Sequence, residues 1–454
     1  MMETKLVVFD DDPTGSQTVH GCLLLTRWDV DTLRAAFADG APLFFVLTNT
    51  RGMDAKRAAD VTRTVCRNVK QALADSARSG RAIEPIVISR SDSTLRGHYP
   101  VETDVIAEEL GPFDAHFLIP AFIEGGRITR EGVHYLITDG RPVPVHETEF
   151  ARDSVFGYTH AFLPDYIEEK TGGRIRAGEV ERFGLAEIRG GCRERLRGLR
   201  RNAACVVDAE SHADLAAFAS DLMAVARQGK RFLCRGAAGI VSALAALPPQ
   251  PVAPEDMGRY RRGERPGVVI AGSHVGRTTR QLVRLLQEPD TLPIEVDVTR
   301  LPNAAAPLLD EVSAQIAAAH AQGLTAVVFT SRTERRFASE AKRLAFGEDV
   351  SAFLMDVVRR LPATIGFLVS KGGITSNDVL AHGLALGTAR VLGQILPGCS
   401  VVRCPEDHPQ YPGLPVVIFP GNVGDDSALA TALRRLAGGA HMPIRGQGCE
   451  LLKP

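Results

Sequence analysis

The sequence lacks the excess of one charge that proteins binding nucleic acid usually carry. Its 454 residues include 53 Lys and Arg against 54 Asp and Glu, so the formal net charge is −1. This balance offers no general attraction to a polyanion or an anionic membrane surface. The chain also shows no signal peptide and no apolar run near the ~18–20 residues of a membrane helix. We therefore predict a cytoplasmic protein with neither nucleic-acid nor membrane partners.

Several familiar sequence signatures are also missing. The eight cysteines form no C-x-x-C pair, which is typical of reduced thiols rather than of a disulfide framework or a zinc site. The chain has no G-x-x-x-x-G-K-[ST] loop, no G-x-G-x-x-G fingerprint, no protein-kinase set and no H-E-x-x-H motif. Any nucleotide must therefore be held by a less common fold.

Short β-branched and aromatic runs alternate with turns and stretches of helical period along the whole chain. This alternation predicts an α/β fold with mainly parallel sheets. A Pro-rich and Arg-rich segment at 248–265 reads as an exposed connector, since four prolines lie within 248–254 and four arginines follow. We predict an N-terminal domain over 1–247, a linker over 248–265 and a C-terminal domain over 266–454, with a ligand cleft between the domains.

Three consecutive carboxylates, Asp10, Asp11 and Asp12, follow the first apolar run. Ligands of open α/β sheets bind beyond the carboxyl ends of the strands. Adjacent carboxylates repel one another, so they favour a metal, a cation or a substrate hydroxyl as partner. Because a helix cap needs one Asp, the triplet predicts a functional site.

A second loop, Ser89 to Gly97, follows another strand-like run and contains two arginines among hydroxyl side chains. Arg90 and Arg96 suit bidentate capture of a carboxylate, and Asp92 suits orientation of a substrate hydroxyl. Arg51, after the second run, adds a cation to the same edge of the sheet. Gly126, in a Gly-rich turn after the run at 115–119, adds flexible backbone there.

The second half carries three turns rich in glycine and hydroxyls, each after an apolar run. These turns are Ala271 to Gly276, Ser370 to Ser376 and Pro420 to Gly424. Their backbone N–H groups are suited to phosphate oxygens, and two of the turns run into predicted helices. Three such turns in one domain favour a nucleotide or phosphate site.

These motifs together resemble the four-carbon acid sugar kinase family, and the resemblance covers nearly the whole chain. The matching segments are Asp11 to Gly15, Ser89 to Gly97, Pro120 to Arg127, Gly272 to Gln281, Gly372 to Ser376 and Pro420 to Gly424. The sequence departs from the family pattern at a few positions, among them Asp10, Pro13 and Ile374. These departures concern the identity of the substrate more than the reaction.

The resemblance implies an N-terminal domain that binds an acid sugar and a C-terminal domain that binds ATP. The γ-phosphate would move to the terminal hydroxyl of threonate, erythronate or a 3-oxo-tetronate, among which the sequence does not choose. The family's ATP contacts carry over to Ser273, Gly373 and Gly421. The full set expected around the nucleotide is Ser273, Gly372, Gly373, Thr375, Gly421, Asn422 and Gly424. Mg²⁺ would accompany ATP, and we assign it no protein ligand.

On this basis we expect Arg90 and Arg96, with Arg51, to hold the substrate carboxylate. Asp12 would accept the proton of the attacking hydroxyl, and Asp11 or Asp92 would orient that hydroxyl. The acid-sugar site is predicted to comprise Arg51, Ser89, Arg90, Ser91, Arg96 and Gly126. A small-molecule sugar acid is then the expected partner, and a homo-oligomer stays open.

Two other functions fit part of the sequence. The run ending in Asp10-Asp11-Asp12-Pro13-Thr14 also fits the opening of haloacid-dehalogenase-type phosphatases, with Asp10 as nucleophile and Asp12 as acid/base. That interpretation leaves the Arg-rich loop without a role. The other alternative is a binding protein for a sugar acid that has lost catalysis.

Overall fold

The computed structural model describes residues 3–273, 275–332, 340–421 and 423–438. The chain divides into two compact units, Met1–Pro248 and Pro249–Pro454. Each unit contains its own set of strands and its own hydrophobic core.

The first unit is built on a parallel sheet with strand order β2-β3-β1-β4-β11-β5-β10-β9. A separate antiparallel sheet has the order β6-β7-β8. The strands are β1 Glu3–Asp10, β2 Leu23–Leu25, β3 Leu43–Leu47, β4 Ile83–Arg90, β5 Ala115–Ile119, β6 Arg127–Arg130, β7 Val133–Thr138, β8 Arg141–Pro144, β9 Glu181–Phe183, β10 Ala203–Val207 and β11 Phe232–Gly236. Strands such as β3 and β5 are buried along their whole length, which explains their continuous apolar sequences.

The helices of this unit begin at residues suited to capping. The side chains of Asp29, Asp54 and Ser211 accept hydrogen bonds from backbone N–H groups in the first turns of α1, α2 and α7. The helices are α1 Val30–Ala38, α2 Ala55–Arg78, α3 Val101–Leu110, α4 Leu163–Lys170, α5 Leu185–Gly190, α6 Arg193–Gly198, α7 His212–Ala226 and α8 Ala238–Ala245. The buried face of α2 includes Val65 and Val69, as its i+4 spacing predicts.

In the second unit, five parallel strands have the order β13-β14-β12-β15-β18, and β17 and β16 extend the sheet in antiparallel fashion. The strands are β12 Val268–Ala271, β13 Thr291–Val296, β14 Thr325–Thr330, β15 Leu368–Lys371, β16 Thr388–Leu396, β17 Cys399–Arg403 and β18 Pro415–Phe419. The helices are α9 Gly276–Leu285, α10 Leu301–Ala321, α11 Glu340–Arg359, α12 Gly373–Asp378 and α13 Ala428–Ala437.

The predicted fold class, two α/β units with mainly parallel sheets, is confirmed. The ligand cleft expected between them and the exact domain boundaries stay predictions. The segment expected to be an exposed connector contains a 3₁₀ helix, Pro254–Tyr260, which packs against the core of the second unit. Met257 is fully buried there, and Gln250 hydrogen-bonds with Gln394, whereas the other residues of 248–265 are exposed or partly exposed. The linker at 248–265 stays a prediction.

Within the described ranges, no helix is both long and apolar enough to cross a bilayer. The predicted cytoplasmic location stays a prediction. Seven cysteines are free and buried, and the eighth, Cys449, lies outside the described residues.

Candidate functional site

The three carboxylates after β1 lie at three different depths. Asp10, the last residue of the strand, is fully buried, and the Asp11 side chain is 2% exposed. The Asp12 side chain is 22% exposed and caps a 3₁₀ helix, Pro13–Thr18, by accepting hydrogen bonds from the Thr14 N–H at 2.9 Å and the Thr14 hydroxyl at 2.5 Å. Of the three, Asp12 is therefore the carboxylate that a ligand reaches most readily.

Two arginines neutralise this cluster. Arg51 binds Asp11 through two nitrogens, at 2.5 and 3.2 Å, and approaches Asp12 at 3.5 Å. Arg90, at the end of β4, donates to the Asp10 carboxylate at 3.0 Å and to the Asp12 backbone oxygen at 3.3 Å. The Arg51 side chain is 20% exposed and that of Arg90 is 5% exposed. Arg51 thus faces outward, whereas Arg90 supports the loop from below.

The loop after β4 brings further predicted residues beside the carboxylates. The Ser91 hydroxyl donates to Asp11 at 2.6 Å, and Arg96 pairs with Asp92 at 2.7 Å. Both members of that pair are partly exposed, at 25% for Arg96 and 14% for Asp92. The parallel pairing of β1 with β4 explains this convergence, since Asp10 lies opposite Arg90 in the register.

Arg235, at the end of β11, lies beneath the loop and was missed by the sequence analysis. Its guanidinium donates to Glu102 at 2.6 Å and to the hydroxyls of Ser89 at 2.6 Å and Ser91 at 2.8 Å. Glu102 in turn accepts from the Thr50 hydroxyl at 2.5 Å. The apolar run Phe232-Leu233-Cys234 comes directly before Arg235, so the rule of inspecting the residue after each strand would have identified it.

The electrostatics of the cluster follow burial and pairing. Burial raises the pKa of Asp10 to about 7, although Arg90 opposes the shift. At Asp12 burial also acts to raise the pKa, but Arg51, Arg90 and the bonds from Thr14 outweigh it, so the pKa lies below its ordinary value. The pKa of Asp92 is likewise far below its usual range, because Arg51 and Arg96 outweigh the effect of burial. Asp12 and Asp92 are therefore ionised at neutral pH.

Three buried side chains hold the backbone of the Ser89–Gly97 loop. His134 bonds to the Ser93 carbonyl at 2.8 Å, Tyr158 donates to the Thr94 carbonyl at 2.8 Å, and Tyr166 donates to the Leu95 carbonyl at 2.9 Å. They come from β7 and from the region before and within α4. Sequence reasoning missed these residues because they lie about 40 to 70 positions away along the chain.

Two glycines permit the close approach of backbone to the cluster. A methyl group added at Gly15 would lie 2.1 Å from an Asp10 carboxylate oxygen. One added at Gly97, where φ is +128°, would lie 2.4 Å from the Ser91 hydroxyl and 2.8 Å from Arg235. Neither position has room for a side chain.

The predicted Gly126 follows a short 3₁₀ helix with φ of +70° and hydrogen-bonds with Ile137 of β7. Its neighbour Arg127, partly buried, carries an unpartnered Nε, and burial lowers its pKa against the opposing effect of Asp92. Arg127 therefore adds a cation near Asp92 that we had not assigned to the site.

In the second unit, turns following three strands meet at one edge of the sheet. A methyl group added at Gly372 would lie 3.4 Å from the Ser273 Cβ, and one added at Gly421 would lie 3.9 Å from the Ser273 hydroxyl. A methyl group at Gly272 would lie 2.7 Å from the Thr375 hydroxyl. Ser273, Gly372, Gly421 and Thr375 are therefore neighbours, as expected for one binding site.

Side chains buried in the second unit hold the turn after β18. Gln281 of α9 donates to the carbonyls of Val423 at 3.0 Å and Asp425 at 2.8 Å. Gly424, with φ of +78°, lies in this turn against Ala428, at a distance that excludes a side chain. The predicted Asn422 lies outside the described residues.

Apart from Asn422, the predicted site residues are thus located in the structure, but their roles stay predictions. Among the described residues no group of three or more His, Cys, Asp or Glu side chains is arranged to hold a metal ion. Mg²⁺ use also stays a prediction.

Comparison with known proteins adds the family. Residues 6–244 match a family model described as a sugar-binding N-terminal domain, and residues 268–429 match one described as a nucleotide-binding C-terminal domain. The D-erythronate kinase of Heliobacterium modesticaldum (strain ATCC 51547 / Ice1) is 30% identical over 156 residues. This match covers 33% of our chain and 32% of that protein, so the chain spans about a third of the length of this curated relative.

Two solved structures share the fold. A Salmonella typhimurium LT2 protein, provisionally described as a tRNA synthase, has a TM-score of 0.68 and 18% identity over 95% of this chain and 99% of that one. A Haemophilus influenzae protein has a TM-score of 0.62 and 16% identity over 95% and 100%, respectively. At such identities the likeness concerns the fold alone. Since the sugar-binding model alone matches more than half of the chain and the nucleotide-binding model follows it in order, the chain belongs to the four-carbon acid sugar kinase family.

Proposed function

We propose that the protein is an ATP-dependent kinase that phosphorylates the terminal hydroxyl of a four-carbon acid sugar. The observation that carries this proposal is the cluster after β1 and β4, where a partly exposed carboxylate, Asp12, lies beside the partly exposed Arg51. The Asp12 carboxylate is suited to bind a substrate hydroxyl and the Arg51 guanidinium is suited to bind a substrate carboxylate. An acid sugar has both of these groups.

Arg51 and Arg96 are the arginines best suited to the substrate carboxylate. Each keeps part of its guanidinium accessible while a carboxylate of the protein fixes its orientation. Arg90 is nearly buried and bonded to Asp10, so a supporting role suits it better than direct contact, although that contact stays a prediction. Ser89 and Ser91 are both bonded to Arg235, which favours a role in shaping the loop.

Asp12 is suited to act as the proton acceptor. In the reaction the substrate hydroxyl oxygen forms a bond to the γ-phosphorus of ATP while the bond to the β-phosphate oxygen breaks, ADP leaves, and the hydroxyl proton passes to Asp12. The low pKa of Asp12 keeps it ionised and makes it a weak base. A weak base suffices where the transition state is loose and positioning supplies most of the rate.

The glycine-rich turns of the second unit are the proposed ATP site. These turns lie close to Ser273, so their backbone N–H groups and the Ser273 hydroxyl are near one another. Such a group of hydrogen-bond donors is suited to phosphate oxygens. Mg²⁺ bound to the phosphates would neutralise part of their charge.

A coupled assay for ADP formation with Mg²⁺ tests the proposal across the stereoisomers of erythronate and threonate and their 3-oxo derivatives. D-Erythronate comes first, because a curated relative carries that activity in its name. We expect turnover with one acid of the panel. No ADP formation with any of them, together with hydrolysis of an aryl phosphate, would overturn the proposal.

Two Asp→Asn variants then test the role of Asp12. Asp12→Asn should lower kcat by about 10²–10⁴-fold, the usual contribution of general base catalysis. The matched control is Asp31→Asn, since Asp31 is an exposed carboxylate of α1, 88% accessible. If Asp12→Asn keeps kcat within threefold of the control, Asp12 is not the base.

The burial of Asp10 argues against the phosphatase alternative. A nucleophile must reach the phosphorus, whereas Asp10 is fully buried and one of its oxygens is bonded to Arg90. Asp10→Asn therefore separates the two functions, because it would abolish a phosphatase that used Asp10 as nucleophile. Tight binding of a sugar acid without any turnover would instead favour the non-catalytic alternative.

A further inference from the structure

The second unit contains a buried ammonium group at the end of β15. Lys371 is fully buried, and its Nζ donates to the backbone carbonyls of Pro420 at 2.6 Å and Gly421 at 3.2 Å. The Nζ also lies 4.3 Å from the ring centroid of Phe419, within the range of a cation–π contact. Lys371 thus connects β15 to the turn that follows β18.

This ammonium has no anionic partner in the part of the chain that the structure describes. Among the described residues, the partners of Nζ are the two carbonyls and the Phe419 ring, and the charged group that acts on it, Arg277 of α9, is also positive. The other titratable group nearby is the thiol of Cys399, whose pKa burial raises to about 12, so it is uncharged at neutral pH. Burial lowers the pKa of Lys371 to about 8.

An unpaired buried charge is costly, and a neutral side chain of similar length would fill the space at a smaller cost. The position of Lys371 suggests where its counter-charge comes from. The next residue is Gly372, whose turn adjoins Ser273, and Nζ itself holds Gly421. A polyphosphate bound by these turns would bring several negative charges close to the ammonium.

We propose that Lys371 is a positioning residue of the nucleotide site, which holds the turn after β18 and is neutralised by the bound phosphates, so that nucleotide binding is coupled to uptake of a proton at Lys371. This inference rests on the proposed function, in which the second unit binds ATP. Because the Lys371 side chain is covered, it acts on the phosphates without direct contact.

The sign and size of the coupling follow from linkage. With a pKa of about 8, about half of the Lys371 side chains are uncharged at pH 8 and about a tenth at pH 7. Bound phosphate favours the charged form and raises the pKa, so proton uptake on binding is small at pH 7 and grows above pH 8. Phosphate groups with a second pKa near 6 are fully ionised there and add no uptake of their own.

Isothermal titration calorimetry of the full chain with Mg²⁺ and ADP, in buffers of different ionisation enthalpy, measures this uptake directly. We expect about half a proton per nucleotide at pH 8, more at pH 9, and a Kd that rises by up to about tenfold per pH unit above pH 8. Binding at pH 8 and 9 without proton uptake would overturn the inference.

Three variants locate the effect. Lys371→Met should raise the Kd for ADP and the KM for ATP about tenfold or more, leave the KM for the acid unchanged and abolish the uptake. Lys371→Arg should keep the affinity but lose the pH dependence, because arginine stays charged. The control is Lys342→Met, at an exposed lysine of α11, which should behave as wild type.

The outcomes separate this inference from the proposed function. If the wild-type protein binds no adenine nucleotide, both fall. If it binds nucleotide but Lys371→Arg keeps the wild-type pH dependence, only the role of Lys371 falls. Should Lys371→Met fail to fold, the wild-type calorimetry and the arginine variant still decide.

Discussion

Replacing Arg235 by methionine should strongly destabilise the first unit. The side chain is 4% exposed and makes charge-assisted hydrogen bonds to Glu102, Ser89 and Ser91. Methionine fills much of the same space but donates no hydrogen bond, so the Glu102 carboxylate, 6% exposed, would keep its bond from Thr50 but lose its counter-charge.

The magnitude follows from this geometry. Removing one member of a buried ion pair costs about 3–5 kcal/mol, because the remaining charge stays buried without compensation. The double variant Arg235→Met/Glu102→Gln removes both charges and should recover part of that loss. We therefore expect the free energy of unfolding to fall by about 3–5 kcal/mol in the single variant and by less than the sum of the two single changes in the double variant.

Urea unfolding followed by tryptophan fluorescence suits this test. The chain has one tryptophan, Trp28, and it packs against the core of the first unit, so its emission reports on that unit. A loss below about 1 kcal/mol in Arg235→Met, or a double-variant loss equal to the sum of the single losses, would refute the reasoning.

Three further predictions follow from the same unit. Asp10 has a raised pKa of about 7, so it binds a proton on folding, and its contribution to stability is present below about pH 4 and lost as the pH rises through 7. Asp10→Asn should therefore flatten the fall in the free energy of unfolding between pH 5 and 8. An unchanged slope of this free energy against pH would contradict the prediction. Gly97→Ala should lower kcat/KM for the acid at least tenfold without changing nucleotide affinity. The added Cβ would overlap the Ser91 hydroxyl, and a non-glycine residue at this positive φ carries a backbone strain of about 1–3 kcal/mol. Steady-state kinetics equal to those of the wild type would count against this prediction. Tyr158→Phe removes a donor to Thr94 and should raise the KM for the acid several-fold and lower stability by about 1 kcal/mol, while equal effects on both substrates would point to general damage.

Much of the sheet was predictable because parallel strands buried on both faces have continuous apolar sequences. The apolar runs of the sequence at 43–47 and 115–119 coincide with β3 and β5. Strand β2 is only three residues long, and polar residues such as Arg390 and Gln394 interrupt β16, so neither showed a clear pattern. Antiparallel β6 to β8 were missed for the same reason, since prolines and charged residues occupy β8.

For the site, strand order explains both the success and the failure of sequence reasoning. The residues after β1 and β4 could be grouped because neighbouring parallel strands end at one edge. The sequence does not reveal depth, however, and three consecutive aspartates look alike until the fold buries Asp10 and leaves Asp12 accessible. Arg235 and Lys371 lie at strand ends that local patterns can locate, but the long-range contacts that define their roles are not encoded locally.

The anchoring of the Ser89–Gly97 loop bears on how this enzyme family could evolve. His134, Tyr158 and Tyr166 all bond to main-chain carbonyls and to none of the loop's side chains. Every amino acid supplies such a carbonyl, so substitutions at Ser93 and Thr94 leave these anchors intact. The side chains of this loop can therefore change by single mutations on a preserved backbone, without a redesign of the scaffold beneath it.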